Sequence, residues 1–238
     1  MIFRAVIFDV YGTLLELGSA PNSADEGWKR LLVETLPQTP PISRSEFSGA
    51  CATIIAREQD LARSRGILYP EIVWPSVVGE VLPEFLSLPS RARDAFILRQ
   101  TRLNHTTSMN REAALLLASV RARGCYLGLA SNAQAYTVEE LRTGLASVAL
   151  ELDQLFKPSF CFWSYEFGFS KPAPHVFQLL TARLQALNVR PGEILMVGDR
   201  LDNDIEPALQ HGWNTWWLTE NPGSFVGGGW SALSEALE

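Results

Sequence analysis

The sequence predicts an α/β fold in which a doubly wound parallel sheet carries a mostly helical insert after its first strand. Two observations carry this prediction. Short continuous apolar runs, each followed by small or polar residues, are typical of parallel strands that are buried on both faces. Segments with helical spacing separate the runs, and this alternation implies right-handed crossovers. A chain of 238 residues, 47% of them hydrophobic, can bury a core of this size.

Three apolar runs are the candidate core strands, and a polar segment follows each of them. They are Ala5–Phe8 before Asp9, Tyr126–Ala130 before Ser131, and Ile194–Val197 before Gly198–Asp199. A further strand is expected over Thr215–Leu218, after a Gly212 turn.

Helices are predicted between these strands. Asn110–Arg123 has apolar residues at helical spacing and stops at Gly124, and Val176–Leu187 shows a similar pattern. A last short helix is expected after the glycine run 227–229.

The segment 18–104 differs from the rest because it has few strand signals and two potential capping boxes. Ser23-x-x-Glu26 and Ser43-x-x-Glu46 each precede a helical apolar pattern. We therefore expect an α/β catalytic core formed by residues 1–17 and 105–238, and a helical cap domain formed by residues 18–104. Within this segment, Tyr69–Pro75 is interpreted as a turn that could contact a substrate.

Composition and charge exclude several classes of protein. A net charge of -6 without a basic run argues against nucleic acid or an anionic membrane as a partner. Three widely spaced cysteines without a C-x-x-C pair argue against disulfides or a zinc site. The apolar start of the chain is too short for a membrane span and has no signal-peptide cleavage pattern. We expect a cytoplasmic protein that acts on a small molecule, as a monomer or a homodimer.

Three polar side chains are expected to converge on one crevice. In open parallel sheets, ligands bind outside the carboxyl ends of the strands, which is where Asp9, Ser131 and Asp199 are predicted to lie. Gly12 and Thr13 closely follow Asp9, and we expect a turn there whose free backbone N–H groups can hold an anion.

Four blocks, taken together and in this order, resemble the four motifs of the haloacid dehalogenase (HAD) superfamily. They are Phe8–Leu14, Ser131–Asn132, Lys171–Pro172 and Gly198–Asp204. The resemblance covers nearly the whole chain, and it implies a Rossmann-like core with a cap inserted after the first motif.

The resemblance implies a role for each matching residue, and the chemistry of the side chains agrees. Asp9 would be the nucleophile, forming a covalent aspartyl intermediate. Ser131 and Lys171 would hold the transferring group and neutralise its charge. Substrate binding would also involve Gly12, Thr13 and Asn132.

The resemblance also implies a magnesium ion, which prefers oxygen ligands. Its protein ligands would be Asp9, the backbone carbonyl of Tyr11, and Asp199, with Asp204 in support. Asp202 is an alternative to Asp204, but we interpret it as a helix N-cap.

Tyr11 is the departure that leaves the reaction open. Phosphatases of the superfamily usually have a second aspartate at this position, whereas D-x-Y-G-T-L is typical of its 2-haloacid dehalogenases, which need no metal. Two features argue against dehalogenation. Asp199 and Asp204 follow the metal-binding form of the fourth motif, and Phe177 stands six residues after Lys171, where those dehalogenases have a tyrosine. The arginine of their cap also has no convincing counterpart near Trp28–Arg30.

We therefore expect a magnesium-dependent phosphatase that acts on a small phosphorylated metabolite and prefers good leaving groups. The alternatives are a 2-haloacid dehalogenase that uses Asp9 without a metal, and a binding or regulatory protein without turnover. His105 is interpreted as a hinge or surface residue. Tyr136 is expected to pack or to hydrogen-bond at the edge of the site.

Overall fold

Residues 3–238 are described by a computed structural model with seven strands and eleven α-helices in this range. The strands are β1 Ala5–Phe8, β2 Leu15–Gly18, β3 Thr106–Met109, β4 Tyr126–Ser131, β5 Cys161–Trp163, β6 Ile194–Gly198 and β7 Asn214–Trp217. The helices are α1 Ala24–Thr35, α2 Arg44–Ser64, α3 Trp74–Val81, α4 Ser90–Thr101, α5 Arg111–Ala122, α6 Ala135–Ala146, α7 Leu152–Leu155, α8 Ser164–Phe167, α9 Pro174–Gln185, α10 Glu206–Gln210 and α11 Trp230–Leu237.

The central sheet has five strands in the order β5-β4-β1-β6-β7, and all of its pairs are parallel. The three predicted core strands are its three middle strands, and the fourth predicted strand is β7, shifted by one residue. Strand β5 was not predicted. The predicted helices α5, α9 and α11 are also present.

Both faces of the sheet are covered by helices. Val6 and Phe8 of β1 pack in one apolar cluster with α5, α6 and α11, whereas Ala5 and Ile7 pack in another with α9 and α10. Alternate residues of a strand point to opposite faces, so β1 is buried on both sides. The predicted doubly wound α/β fold is confirmed.

Helices α1–α4 surround an apolar cluster of their own. Trp28 is stacked at a tilt on Phe47, with 4.6 Å between ring centroids, and its indole N–H donates to the carbonyl of Ile42 at 2.8 Å. Because this cluster contains buried residues from the helical segment alone, the segment has its own centre of packing. The division into a core and a cap domain remains a prediction that this packing favours.

One of the two predicted capping boxes forms. Ser43 accepts a hydrogen bond from the N–H of Glu46, whose carboxylate accepts one from the N–H of Ser43. The prediction for Ser23 is wrong, because its side chain makes no capping hydrogen bond although α1 begins directly after it. Its ψ of 17° is not the extended value that places an N-cap hydroxyl over the first turn.

A two-stranded antiparallel ribbon joins the two connections of the helical segment. Leu15 pairs with Met109 at one end, and Gly18 pairs with Thr106 at the other. The chain therefore leaves the sheet layer and returns to it at neighbouring points. Within residues 3–238, no helix combines the length and the apolar character needed to cross a bilayer.

Candidate active site

Three polar residues meet at the carboxyl edge of the sheet. Asp9 follows β1, Ser131 ends β4 and Asp199 follows β6. Since β1 lies between β4 and β6, the three residues come from adjacent strands. The N–H of Asp9 donates to the carbonyl of Val197 at 3.0 Å, which extends the ladder up to the predicted nucleophile.

Lys171 supplies the positive charge of this edge. Its ammonium group donates to Asp9 Oδ1 at 2.7 Å and to Asp204 Oδ1, and the residue is 3% exposed. Asn132 fixes the Lys171 backbone, since its amide nitrogen donates to the carbonyl at 2.9 Å and its oxygen accepts from the N–H at 2.7 Å. The carboxamide of Asn132 thus positions Lys171, a role that the sequence did not predict.

Three carboxylates surround this lysine. One oxygen from each of Asp9, Asp199 and Asp204 lies within 4.8 Å of the others. Glycines permit this approach: a Cβ on Gly12 would lie 2.3 Å from Asp199 Oδ2, and a Cβ on Gly198 would lie 2.3 Å from Asp204 Oδ2. Gly12 also has a φ of +77°, which other residues rarely adopt.

The charges in the cluster are unbalanced. Burial raises the pKa of Asp204 to about 6, and burial also raises the pKa of Asp9, in both cases against the opposing effect of Lys171. The pKa of Asp199 is raised by burial and by the charge of Asp204. Burial would lower the pKa of Lys171, but Asp204 and Asp9 outweigh it and raise the pKa. Three carboxylates share one ammonium, so a further cation would relieve the repulsion.

Unpaired polar atoms support this interpretation. Within residues 3–238, the buried side-chain oxygen and nitrogen atoms that lack a hydrogen-bond partner are Thr13 Oγ1, Ser131 Oγ and Asp199 Oδ1. Buried polar groups normally have partners, and all three of these atoms belong to the predicted site. The hard oxygen donors of Asp9, Asp199 and Asp204 fit a magnesium ion, and the two hydroxyl groups fit an anionic substrate group.

The turn after Asp9, which was predicted to bind an anion, has a hydrogen-bond pattern that differs from the expected one. The N–H of Gly12 donates to the carbonyl of Leu15 at 2.8 Å, and the N–H of Thr13 donates to that of Val10 at 3.3 Å. The prediction of free N–H groups is therefore wrong for Gly12 and Thr13, because the turn uses these two groups to close on itself. The unpaired hydroxyl of Thr13 is a polar group that the turn offers to a ligand.

Tyr11 belongs to a buried network. Its hydroxyl donates to the carboxylate of Glu140 and lies 3.0 Å from Oγ1 of Thr137. His105 Nε2 lies 3.2 Å from Glu140 Oε1, and the His105 ring meets that of Tyr11 edge to face. His105 is therefore half-buried in the network and is not a surface residue. Glu140 was not predicted from the sequence, because its contact with Tyr11 joins residues 129 positions apart and leaves no local signal.

Asp202, Asp204 and Phe177 have distinct surroundings in the structure. Asp202 lies on the surface, paired with Arg200, inside a wide helical turn over Leu201–Ile205 whose N-cap residue is Arg200. The interpretation of Asp202 as an N-cap is therefore wrong. The carboxylate of Asp204, by contrast, accepts from the N–H of Arg200 at 3.1 Å and faces Lys171. Phe177 is fully buried against His211 and Trp213.

A cavity of about 330 Å³ lies beside this edge, between the helical segment and the sheet layer. Its wall includes Tyr11, two residues after Asp9, and Asn132, which follows Ser131 and bonds the backbone of Lys171. The opposite wall comes from Glu71, Trp74 and the end of α4. Glu71 also ties the two sides together, because it accepts hydrogen bonds from the side chains of Gln134 and Ser164.

The chain belongs to the haloacid dehalogenase-like hydrolase family, whose model matches residues 3–212. The predicted HAD resemblance is thus confirmed, and the chain is classed with hydrolases. Its fold and its carboxylate-bearing sheet edge agree with that family.

The chain is similar to proteins that are named for different activities. A glyceraldehyde 3-phosphate phosphatase of Pyrococcus furiosus is 43% identical over 69 residues, which is 29% of this chain and 27% of the relative. The match therefore spans about a quarter of that protein. A 2-haloacid dehalogenase structure from Pseudomonas syringae has a TM-score of 0.64 at 20% identity and covers 100% of this chain and 98% of its own. A magnesium-bound putative HAD hydrolase from Bacillus subtilis has a TM-score of 0.55 at 19% identity and covers 100% of both chains.

Proposed function

We propose that this chain is a magnesium-dependent phosphatase that acts on a small phosphorylated metabolite through an aspartyl-phosphate on Asp9. The observation that carries the proposal is the cluster of Asp9, Asp199 and Asp204 around a single lysine. A third carboxylate beside a nucleophile makes chemical sense when a divalent cation neutralises it. Magnesium, when bound there, would supply charge stabilisation for the transferring phosphoryl group.

The residues of the chain would perform the reaction in two steps. In the first, an oxygen of Asp9 attacks phosphorus and the bond to the leaving oxygen breaks, which leaves an aspartyl-phosphate. In the second, water attacks phosphorus, the bond to Asp9 breaks and inorganic phosphate departs. Lys171 holds Asp9 in place and neutralises part of the charge, while Thr13 and Ser131 offer their unpaired hydroxyl groups to the phosphoryl oxygens.

Proton supply to the leaving oxygen is the weak point of this site. The usual second aspartate is replaced by Tyr11, whose proton is held by Glu140. General acid catalysis is typically worth about 10²–10⁴-fold in rate. We therefore propose that aryl and acyl phosphates, whose leaving groups need little proton help, are the better substrates. Closure of the helical segment over the cavity would keep water out during the first step.

Dehalogenation of a 2-haloacid is the second candidate, and Tyr11 is the observation that favours it. Two features weigh against it. Phe177, fully buried, offers no hydroxyl where those dehalogenases have a tyrosine. The carboxylate of a haloacid would also need a cationic partner, and within the described residues no lysine or arginine lines the cavity. A binding role without turnover is the third candidate. For any of these we expect a cytoplasmic location.

The test is phosphate release from p-nitrophenyl phosphate with magnesium and with EDTA. We expect release that needs magnesium and disappears in the Asp9→Asn protein, which also controls for contaminating phosphatases. Chloride release from 2-chloropropionate is measured on the same two proteins. Halide release without phosphate release would establish the dehalogenase, and the absence of both activities would favour the binding role.

A further inference from the structure

The cavity beside the carboxylate cluster limits which leaving groups a phosphorylated substrate can have. If the phosphoryl group binds beside Asp9 and the hydroxyl of Ser131, then the cavity walled by Tyr11 and Asn132 is the space next to it that can receive the leaving group. This role of the cavity rests on the proposed phosphatase function. At about 330 Å³, the cavity is at the small end of the range for small-molecule sites.

Negative charge dominates the surroundings of this cavity. Glu71 is part of the wall, and Glu140 lies directly behind it, bonded to Tyr11 and His105. His105 also lines the cavity, and its Nε2 lies 3.2 Å from Glu140 Oε1. No lysine or arginine side chain lines the cavity within residues 3–238. A leaving group with a second phosphate or a carboxylate would therefore meet like charges and no cation.

The pKa of Tyr136 is raised by burial and in part by the same two carboxylates, Glu140 and Glu71. This residue lines the cavity, and burial together with the charges of Glu140 and Glu71 raises its pKa to about 12. The carboxylates that oppose a negative charge on its phenol ring would oppose an anion placed beside it.

The cavity also offers an unused hydrogen-bond donor. Gln100 is 4% exposed and lines the cavity, and its side-chain oxygen accepts from the indole N–H of Trp74 at 3.2 Å. Because an indole N–H can only donate, this contact fixes the orientation of the amide and leaves its NH₂ group without a partner in the described chain. Asn104, at the rim, has a side chain without an internal hydrogen bond among the same residues.

We propose that the leaving group bears hydroxyl groups and no negative charge, so that among phosphorylated sugars and polyols the chain selects those without a second anion. The free amide of Gln100 can donate to an oxygen acceptor, which disfavours a purely apolar leaving group. The carboxylates exclude an anionic acceptor. A neutral hydroxyl group satisfies both conditions, and Asn104 can bond a second one.

The test compares pairs of substrates that share a leaving oxygen, so that the missing general acid affects both members equally. The pairs are glycerol 3-phosphate with 3-phosphoglycerate, and glucose 1-phosphate with glucuronic acid 1-phosphate. We expect kcat/KM to favour the neutral member by about tenfold or more in each pair. Equal turnover, or preference for the acid, would overturn the proposal. Binding of each compound to the Asp9→Asn protein with magnesium gives the same comparison without turnover.

A substitution that adds a positive charge tests whether the cavity causes the preference for the neutral substrates. Asn104→Lys places a cation at the rim of the cavity and is expected to shift the ratio toward the acids by about fivefold or more. Thr106→Lys is the matched control, because it adds the same charge two residues away at an exposed position that does not line the cavity. Equal ratios in the two variants would overturn the proposal.

Failure of the two proposals can be told apart. Magnesium-dependent release from p-nitrophenyl phosphate without preference for the neutral members overturns the substrate class and leaves the phosphatase standing. Absence of release from every phosphate overturns the phosphatase. In that case the substrate class is also overturned if the Asp9→Asn protein binds both members of a pair equally.

Discussion

The hydroxyl of Tyr11 donates its hydrogen bond to Glu140, a residue on α6 that is 3% exposed and lies 129 positions away in the chain. Burial, and then this bond, raise the pKa of Tyr11, so the phenol keeps its proton at neutral pH. The residue two positions after Asp9 is thus anchored to the helix layer by its side chain, while its backbone stays beside the carboxylate cluster.

This anchoring leads to a prediction about leaving groups. We expect p-nitrophenyl phosphate to be hydrolysed at least about 10²-fold faster than glycerol 3-phosphate, because a general acid is worth this much for an alkoxide. Tyr11→Asp should narrow the difference by raising the rate on glycerol 3-phosphate. Tyr11→Asn is the control, since it has the same size and no acid. Equal rates of the two variants on glycerol 3-phosphate would contradict the role assigned to this position.

Magnesium binding is predicted to depend on Asp204 and not on its neighbour Asp202. Asp204 is buried against Lys171, whereas Asp202 is exposed and paired with Arg200. We expect Asp204→Asn to weaken magnesium binding about 10–100-fold, as loss of a ligand-supporting group does. The measurement is the increase in melting temperature on titration with magnesium. Asp202→Asn should keep the wild-type titration, and the opposite pattern would move the metal site to Asp202.

The pH dependence of stability follows from the same carboxylate. Burial raises the pKa of Asp204 from an ordinary value of 3.8 to about 6. A carboxyl group with a raised pKa in the folded state stabilises the fold while it is protonated. In the metal-free protein, this contribution is present below pH 4 and is lost as the pH rises through about 6.

Magnesium should reverse this trend, because it binds the ionised carboxylates. We expect the stabilisation by magnesium to be small at pH 5 and to increase above pH 6. Urea unfolding with and without magnesium across this pH range measures both effects. Asp204→Asn should flatten the metal-free dependence, and a wild-type protein whose magnesium effect is constant with pH would contradict the assignment.

Gly12 is predicted to be essential for the shape of the cluster. Gly12→Ala would place a methyl group 2.3 Å from Asp199 Oδ2 in a backbone with a φ of +77°. Gly168→Ala is the matched control, since Gly168 has a φ of +76° and nothing within 4 Å of the added Cβ. Both should lose about 1–2 kcal/mol of stability from the left-handed backbone. Loss of magnesium binding and of activity is expected for Gly12→Ala alone.

The sheet and most of the candidate site could be predicted from the sequence because both depend on local signals. Apolar runs such as Ala5–Phe8 identify buried strands, and the residue after each run lies at the sheet edge. Asp9, Lys171, Asp199 and Asp204 come together as predicted, and Ser131 ends the strand next to β1. Strand β5 was missed because three residues, Cys161–Trp163, are too few to show a period.

The remaining features depend on contacts between distant segments. The partners Tyr11 and Glu140 carry no local sign of each other. The same holds for Glu71, which contacts Gln134 and Ser164 from the other side of the cavity. At the turn after Asp9, the N–H groups of Gly12 and Thr13 close the turn, which the residue types alone did not indicate. Ser23 shows that a capping pattern needs the right backbone angles as well as the right residues.

The pairing of Gly18 with Thr106 has a further consequence. Residues paired across an antiparallel ribbon lie about 5 Å apart, so a two-residue hairpin turn can join them. Everything between them could be deleted, or exchanged for a segment of another size, without pulling the sheet apart. A polypeptide with such a junction can exchange its inserted segment while the residues at the edge of its sheet stay the same. Substrate recognition can then diverge in evolution while the reaction is conserved.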